Sequence, residues 1–169
     1  ARELADNGAL PGSIVICREQ VGGRGREGRA WVSPAHAGVY LSMIFRPTGK
    51  YVEPLITILA GVDVAIALKS TFPELAPSIK WPNDLMVDER KLGGILAEAS
   101  SAPDGSLVLI LGIGVNVRHA RLPKELAAAA AVDEFVEGVD LLRVADAIIH
   151  GLERRLTHMP TSLDEAAFD

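Results

Sequence analysis

The chain has 169 residues, 49% of them hydrophobic, with 17 basic and 22 acidic side chains and a formal net charge of −5. That length and apolar share suit one domain with a substantial core, and the acidic balance argues against a protein that coats nucleic acid or an anionic membrane over a broad face. No signal-like segment opens the chain and no uninterrupted apolar stretch is long enough to span a bilayer, so a soluble protein is expected.

The first clear element is a strand at residues 13–17, rich in β-branched residues. It carries Cys17, the chain's single cysteine, expected to be a buried structural thiol. One cysteine cannot cross-link the fold internally, so a reducing cytoplasmic setting is expected. The strand leads into the stretch GGRGREGRAW at 22–31, where four glycines and three arginines fall within ten residues. A second strand is expected at 39–45, and a helix at 54–70, where the apolar residues are too many and too long a run for a strand. Three short β candidates follow at 78–81, 85–87 and 95–99, the last two joined as a hairpin by Asp88, Glu89 and Arg90. Residues 107–117 form the most hydrophobic segment and are expected to be a central strand. The alanine run 127–131 is helix-forming. A final helix is expected from the N-cap Asp140 to about His158, with an apolar stripe of Leu141, Leu142, Ala145, Ile148, Ile149, Leu152 and Leu156. Strands in the middle with helices early and late predict an α+β fold, a mixed sheet with helices packed on one face.

The glycine–arginine stretch admits four readings. Gly23, Gly25 and Gly28 match the dinucleotide-binding spacing, but no helix opens after them and no acidic residue lies about twenty residues on. RNA binding would rest on one short copy in an acidic chain. A solvated hairpin turn is the plain structural alternative. A loop closing over a small anion fits best: Arg24, Arg26 and Arg29 offer forked donors, and the glycines let the backbone approach and move. Gln20 at its root can donate and accept, and Trp31 at its end can stack on a base or join the core.

A second constellation lies further on. Lys80, Asn83 and Asp84 crowd a cation, an amide and a carboxylate around Pro82, which stops a β ladder; an ordinary Asn-Asp turn is the alternative. Lys91 precedes the glycine pair Gly93 and Gly94 at a strand start, and Gly112 and Gly114 sit in the central strand before Asn116. Glycines within strands mark close approach of a ligand or another backbone, so a polar pocket over a sheet is plausible. The four histidines show no metal-ligand spacing, and no nucleophile elbow is present.

Gln20 with the loop G-R-G-R-E-G-R-x-W, then K-W-P-N-D-L, K-L-G-G-I-L and G-I-G-V-N-V, in this order and spacing, closely resemble the catalytic domain of biotin protein ligases. The resemblance spans nearly the whole chain. It implies the biotin/lipoate protein ligase fold, akin to class II aminoacyl-tRNA synthetases, over residues 1–169. It implies formation of biotinyl-5′-adenylate from biotin and ATP with Mg²⁺, then transfer of biotin to a lysine of a biotin carboxyl carrier protein domain. Under it Gln20, Gly23, Arg24, Gly25, Arg26, Arg29, Trp31, Asn83, Lys91, Gly94, Gly114 and Asn116 would line the biotin and nucleotide site. Lys80 would meet the phosphates, Lys91 the biotin carboxyl, and Asp84 would be a Mg²⁺ ligand or a base. A homodimer is left open, and no nucleic-acid or membrane partner is implied.

Two departures from the family pattern are expected to matter. The family's Ser-Thr-Asn stretch would fall before Ala1, and its small SH3-like barrel would follow the last helix; neither is in the sequence, nor is a helix-turn-helix. Lipoate ligation on the same fold and a non-catalytic biotin- or nucleotide-binding module are the competing readings.

Overall fold

The computed structural model describes residues 1–47, 53–102 and 105–157, without the side chains of residues 53–54 and 154–157. In chain order the elements are α1 (Arg2–Asp6), β1 (Ile14–Cys17), β2 (Gln20–Arg24), β3 (Ala30–Ser33), β4 (Gly38–Phe45) and α2 (Glu53–Thr71). There follow β5 (Ser78–Lys80), β6 (Asp84–Val87), β7 (Arg90–Ser101), β8 (Leu107–Asn116) and α3 (Leu141–Thr157). Six strands form one sheet in the order β1-β4-β8-β7-β6-β5, and β2 and β3 form a separate two-stranded sheet.

The α+β architecture and the central position of β8 agree with the sequence. The sheet is not mixed in strand direction: every described pairing within it is antiparallel. Tight turns and hairpins join β5 through β8, and such short connections permit no parallel pairing. The turn between β6 and β7 takes positive φ at Asp88 and Glu89.

Strand alternation divides the sheet into two faces. On one, Val39, Leu41, Met43 and Phe45 of β4 and Leu109, Leu111, Ile113 and Val115 of β8 are buried under the helices. There α2 and α3 pack on each other, α2 on β7 and α3 on β4. Asp140 caps α3 as expected, its carboxylate accepting from the Leu142 amide at 3.3 Å. The α3 stripe is confirmed at Ala145, Ile148 and Leu152 but not at Leu142, which is 75% exposed; Val144 and Ala147 are buried in its stead. The side chain of Leu156, and His158, lie outside what is described.

The opposite face is left uncovered by α2 and α3. At one end α1 closes it, with Ala5 packed on Ile44, Val108 and Ile110. Arg46 ties that helix down, donating to the carbonyls of Ala5 at 2.8 Å and Ala9 at 3.3 Å.

Two further expectations fail for tertiary reasons. The alanine run 127–131 forms no α-helix: a turn, a bend and irregular backbone occupy it, between 3-10 segments at Lys124–Leu126 and Val132–Glu134, because the Ala130 amide bonds the Lys91 carbonyl at 2.9 Å and its carbonyl accepts from Asn116 at 3.1 Å. Tertiary bonds override intrinsic propensity there. Cys17 is half-buried on an edge strand rather than enclosed, with its thiol 3.7 Å from the Tyr40 carbonyl. Desolvation still pushes its pKa up, which keeps it a protonated, poorly nucleophilic thiol.

Candidate functional site

On the uncovered face, β4, β7 and β8 present Ser42, Gly94, Leu96, Gly112 and Gly114, and a cavity of about 340 Å³ opens above them. Its floor follows from strand register: Gly94 pairs with Gly114, Leu96 with Gly112, and Gly112 with Ser42. Small residues opposite one another leave a flat trough over the sheet. The volume suits a small-molecule ligand.

The hairpin β2–β3 forms the roof. The sequence suggested an irregular loop over 22–29; Gly22, Gly23 and Arg24 instead belong to β2, which pairs with β3 through Gly23–Trp31 and Arg24–Ala30. Local hydrogen bonding makes this possible: the Gly25 amide donates to the Arg29 carbonyl at 2.7 Å. The tip is a single 3-10 turn at Arg26–Gly28, with Glu27 at φ 57° and Gly28 at φ 74°, backbone angles that glycine adopts without strain.

Trp31 descends from β3 onto the glycine floor. A Cβ at Gly114 would stand 2.5 Å from its Nε1, and one at Gly94 would stand 3.5 Å from its ring. Only glycine at Gly114 admits the indole in this seat. The Trp31 Nε1 is buried and has no hydrogen-bond partner. An orphan donor at a cavity wall is costly unless something supplies an acceptor.

Cations and their partners line one end of the cavity. Lys91 Nζ lies 2.7 Å from the Asp84 carboxylate and 5.4 Å from the Trp31 ring centroid, within cation–π range. Arg26 Nη1 lies 3.4 Å from Asn83 Oδ1. Asn83 is itself held on β7: its Nδ2 donates to the Ile95 carbonyl at 3.2 Å, and its carbonyl accepts from the Ile95 amide at 2.9 Å. At the hairpin root, Ser33 Oγ lies 2.6 Å from Gln20 Oε1, which leaves the amide hydrogens of Gln20 free to face the cavity it lines.

The fold therefore gathers most of the residues singled out in the sequence. Gln20, Arg24, Gly25, Arg26, Arg29 and Trp31 come from the hairpin, and Asn83, Asp84, Lys91, Gly94 and Gly114 from the sheet; all line the cavity. Three do not. Gly23 packs against the Trp31 carbonyl and Gln20 within the hairpin. Lys80 is exposed on the outermost strand, β5, opposite Asp84. Asn116, expected to complete the pocket, is 3% exposed and gives its amide to Ala130; it braces the floor from its end.

Asp84 alone does not make a metal centre. Its carboxylate is engaged by Lys91, and among the described residues no group of three or more His, Cys, Asp or Glu could hold a metal ion. No described helix is long and apolar enough to cross a membrane.

Arg2, Ser42, Leu96 and Glu98 also line the cavity, beyond the residues named from the sequence. For three of these a signal existed. Alternation from Gly94 puts Leu96 and Glu98 on the floor side of β7, and Ser42 interrupts the apolar strand β4.

A sequence profile of the biotin/lipoate A/B protein ligase family matches residues 4–116. The bifunctional ligase/repressor BirA of Bacillus spizizenii is 34% identical over 160 residues, 92% of this chain and 49% of that protein. The biotin–[acetyl-CoA-carboxylase] ligase of Mycobacterium tuberculosis is 30% identical over 169 residues, 98% of this chain and 62% of that protein. The biotin protein ligase of Aquifex aeolicus, solved in complex with biotin and ATP, superposes with a TM-score of 0.77 at 30% identity, covering 92% of this chain and 65% of the other. The chain thus spans about half to two thirds of the length of these relatives.

Proposed function

The chain belongs to the biotin/lipoate A/B protein ligase family, and from that premise we propose that it carries the adenylate-forming centre of a biotin protein ligase. The reaction joins biotin and ATP into biotinyl-5′-adenylate with release of pyrophosphate, then passes biotin to a lysine of a carboxylase's biotin carboxyl carrier domain with release of AMP. The observation that carries this reading is the trough itself: a glycine floor under an arginine-bearing hairpin, with Lys91 and Arg26 at one end.

The first step brings a carboxylate to an α-phosphate. Two unit charges at 4 Å repel by about 4 kcal/mol even at an effective dielectric of 20, so cations must neutralise the approach. Lys91 is the proposed partner of the biotin carboxylate, held over the floor by Asp84. Arg26, steered by Asn83, is the proposed phosphate ligand, with Arg29 beside it at the hairpin end. Lys80 is proposed to meet the outer phosphates, reaching in from the edge strand. Gln20 would bind the uncharged head of biotin, and Asn116 would act by bracing the floor. Trp31 would cover the adenine, its unpartnered N–H gaining an acceptor from the ligand. Magnesium enters only as a companion of the ATP substrate.

In the second step the mixed anhydride is already activated and needs only a neutral amine nearby. The acceptor lysine, with an ordinary pKa of about 10.4, must lose a proton on docking, and Asp84 is proposed to help draw it. The nucleophile thus belongs to the partner, consistent with the raised pKa of Cys17.

Calorimetric titration with biotin, lipoate and ATP, followed by mass analysis of released products, tests the proposal. Biotin binding strengthened by ATP, with biotinyl-adenylate recovered after denaturation, is expected. Tighter binding of lipoate would transfer the reading to lipoate ligation. Binding without adenylate would reduce the chain to a binding module.

A further inference from the structure

One charged residue on the floor is at odds with an anion site. Glu98 lies on the cavity side of β7, opposite Ile110 on β8, and a carboxylate there would repel any anionic ligand. Its partners account for it. Arg24 Nη2 on the hairpin lies 2.8 Å from Glu98 Oε2, and Arg2 Nη2 on α1 lies 3.5 Å from Oε1. Glu98 is the more enclosed of the three, its side chain 25% exposed against 57% for Arg24 and 49% for Arg2.

The rest of the hairpin makes few other attachments to the sheet. β2 and β3 pair only with each other. The Trp31 ring rests on the floor, and Arg26 reaches Asn83 through a 3.4 Å hydrogen bond. Arg29 turns back to Glu27 on the hairpin itself, at 3.0 Å. The 2.8 Å contact of Arg24 is the shortest charged link between roof and floor among the described residues.

We propose that Glu98 is the anchor of a latch and Arg24 its tongue: the pair holds the β2–β3 hairpin closed over the trough, and Arg24 acts by positioning the roof rather than by binding phosphate. The two ends of the cavity then divide the work. Lys91 and Arg26 face the anionic part of the ligand, whereas Glu98 neutralises Arg24 at the far end and selects an uncharged group there. Arg2 shares the anchor, and Arg46 holds the helix that carries Arg2. Glu98 and Arg24 are positioning residues for the reaction proposed above, and only this functional part rests on that reading.

A double-mutant cycle without ligand tests the latch. Trypsin cleavage after Arg29 is followed by mass in the parent, Glu98→Gln, Arg24→Gln and the double variant. When opening is fast, cleavage tracks the open population. Partly exposed ion pairs are worth little each, so either single change should raise the rate about two- to fivefold, with unfolding midpoints close to the parent's. The double variant should cleave no faster than the faster single variant, because the second change removes a bond already lost. An unchanged rate in Glu98→Gln, or two effects that multiply, would overturn the latch. In parallel, biotin with ATP should slow cleavage of the parent. Loss of that protection alone would count against the ligase reading and leave the latch standing.

Discussion

On the helix side of β7 and β8 stand Ile95, Ala97, Leu109, Leu111 and Ile113, all buried. On the other side of the same strands stand Gly94, Leu96, Glu98, Gly112 and Gly114, which line the cavity. Both sets share one backbone and one hydrogen-bond ladder. The first set is interchangeable apolar volume, while the second is a shape with charges at its ends. A single pair of strands thus carries the core on one parity and the site on the other, and a register slip of one residue would exchange them.

The comparison breaks most visibly on the core side. Leu111→Ala removes a fully buried side chain and should cost about 2–5 kcal/mol of stability, read from denaturant unfolding. Below the shifted melting temperature ligand affinity should stay near the parent's. A large loss of affinity in the folded variant would mean that the two faces are not separable.

Lys91→Ala is the complementary change on the site side. A charge-assisted contact to a carboxylate is worth about 1.5–3 kcal/mol, so biotin affinity should fall about ten- to a hundredfold. Because Lys91 is partly exposed and pairs with Asp84 at 2.7 Å, stability should move little. Unaltered biotin affinity by calorimetry would reduce Lys91 to a solvated strand lysine.

Gly114→Ala sharpens the contrast in the smallest available step. The new methyl would meet the Trp31 indole, and overpacking of this kind costs about 1–3 kcal/mol. Trp31 should shift toward solvent, seen as a red-shifted emission in a Trp81→Phe background, and ligand affinity should drop. An unshifted spectrum would show that the indole has room the structure denies it.

The smallest effect lies away from both faces. Burial would raise the Glu134 pKa, but hydrogen bonds from Arg90 and the Ala131 amide hold it below the ordinary 4.5. A depressed carboxylate contributes stability above its unfolded pKa and loses it as pH falls through the folded value. Glu134→Gln should therefore be less stable than the parent by at most about 1 kcal/mol at neutral pH. That gap should close in acid, below about pH 4; a gap independent of pH would assign the effect to shape rather than charge.

What the sequence revealed follows the same division. β1, β4, β8, α2 and α3 were legible because their cores need long apolar runs, and such runs have a period. The hairpin β2–β3 was not, since Gly22 and Gly23 carry no alternation, and its strands exist by pairing with each other over a floor supplied from elsewhere. β7 runs longer than the 95–99 expected, because Gly93 and Gly94 carry no β-forming side chain; pairing of both to β6 and β8, and of Lys91 to β6, makes them strand. Motif spacing located most of the site residues, but direction was invisible to it. Lys80 and Asn116 sit in the right motifs, yet one lies on the outer edge and the other spends its amide on Ala130 at the end of the floor. Glu98 belonged to no motif, and only the fold brings it to Arg24.

The separateness of the two sheets has a kinetic meaning. The six-stranded floor is rigid and is present before any encounter, so its cations govern how readily a ligand is captured. The hairpin pairs with no strand of the floor and meets it through side chains and the two short segments that lead from β1 and into β4, so a molecule seated beneath is held for as long as the roof stays down. Substitutions in β2 and β3 should therefore change residence time more than arrival, the usual way in which related binding sites come to differ. For an activated and hydrolysable intermediate, residence decides whether it reaches its acceptor or is lost to water.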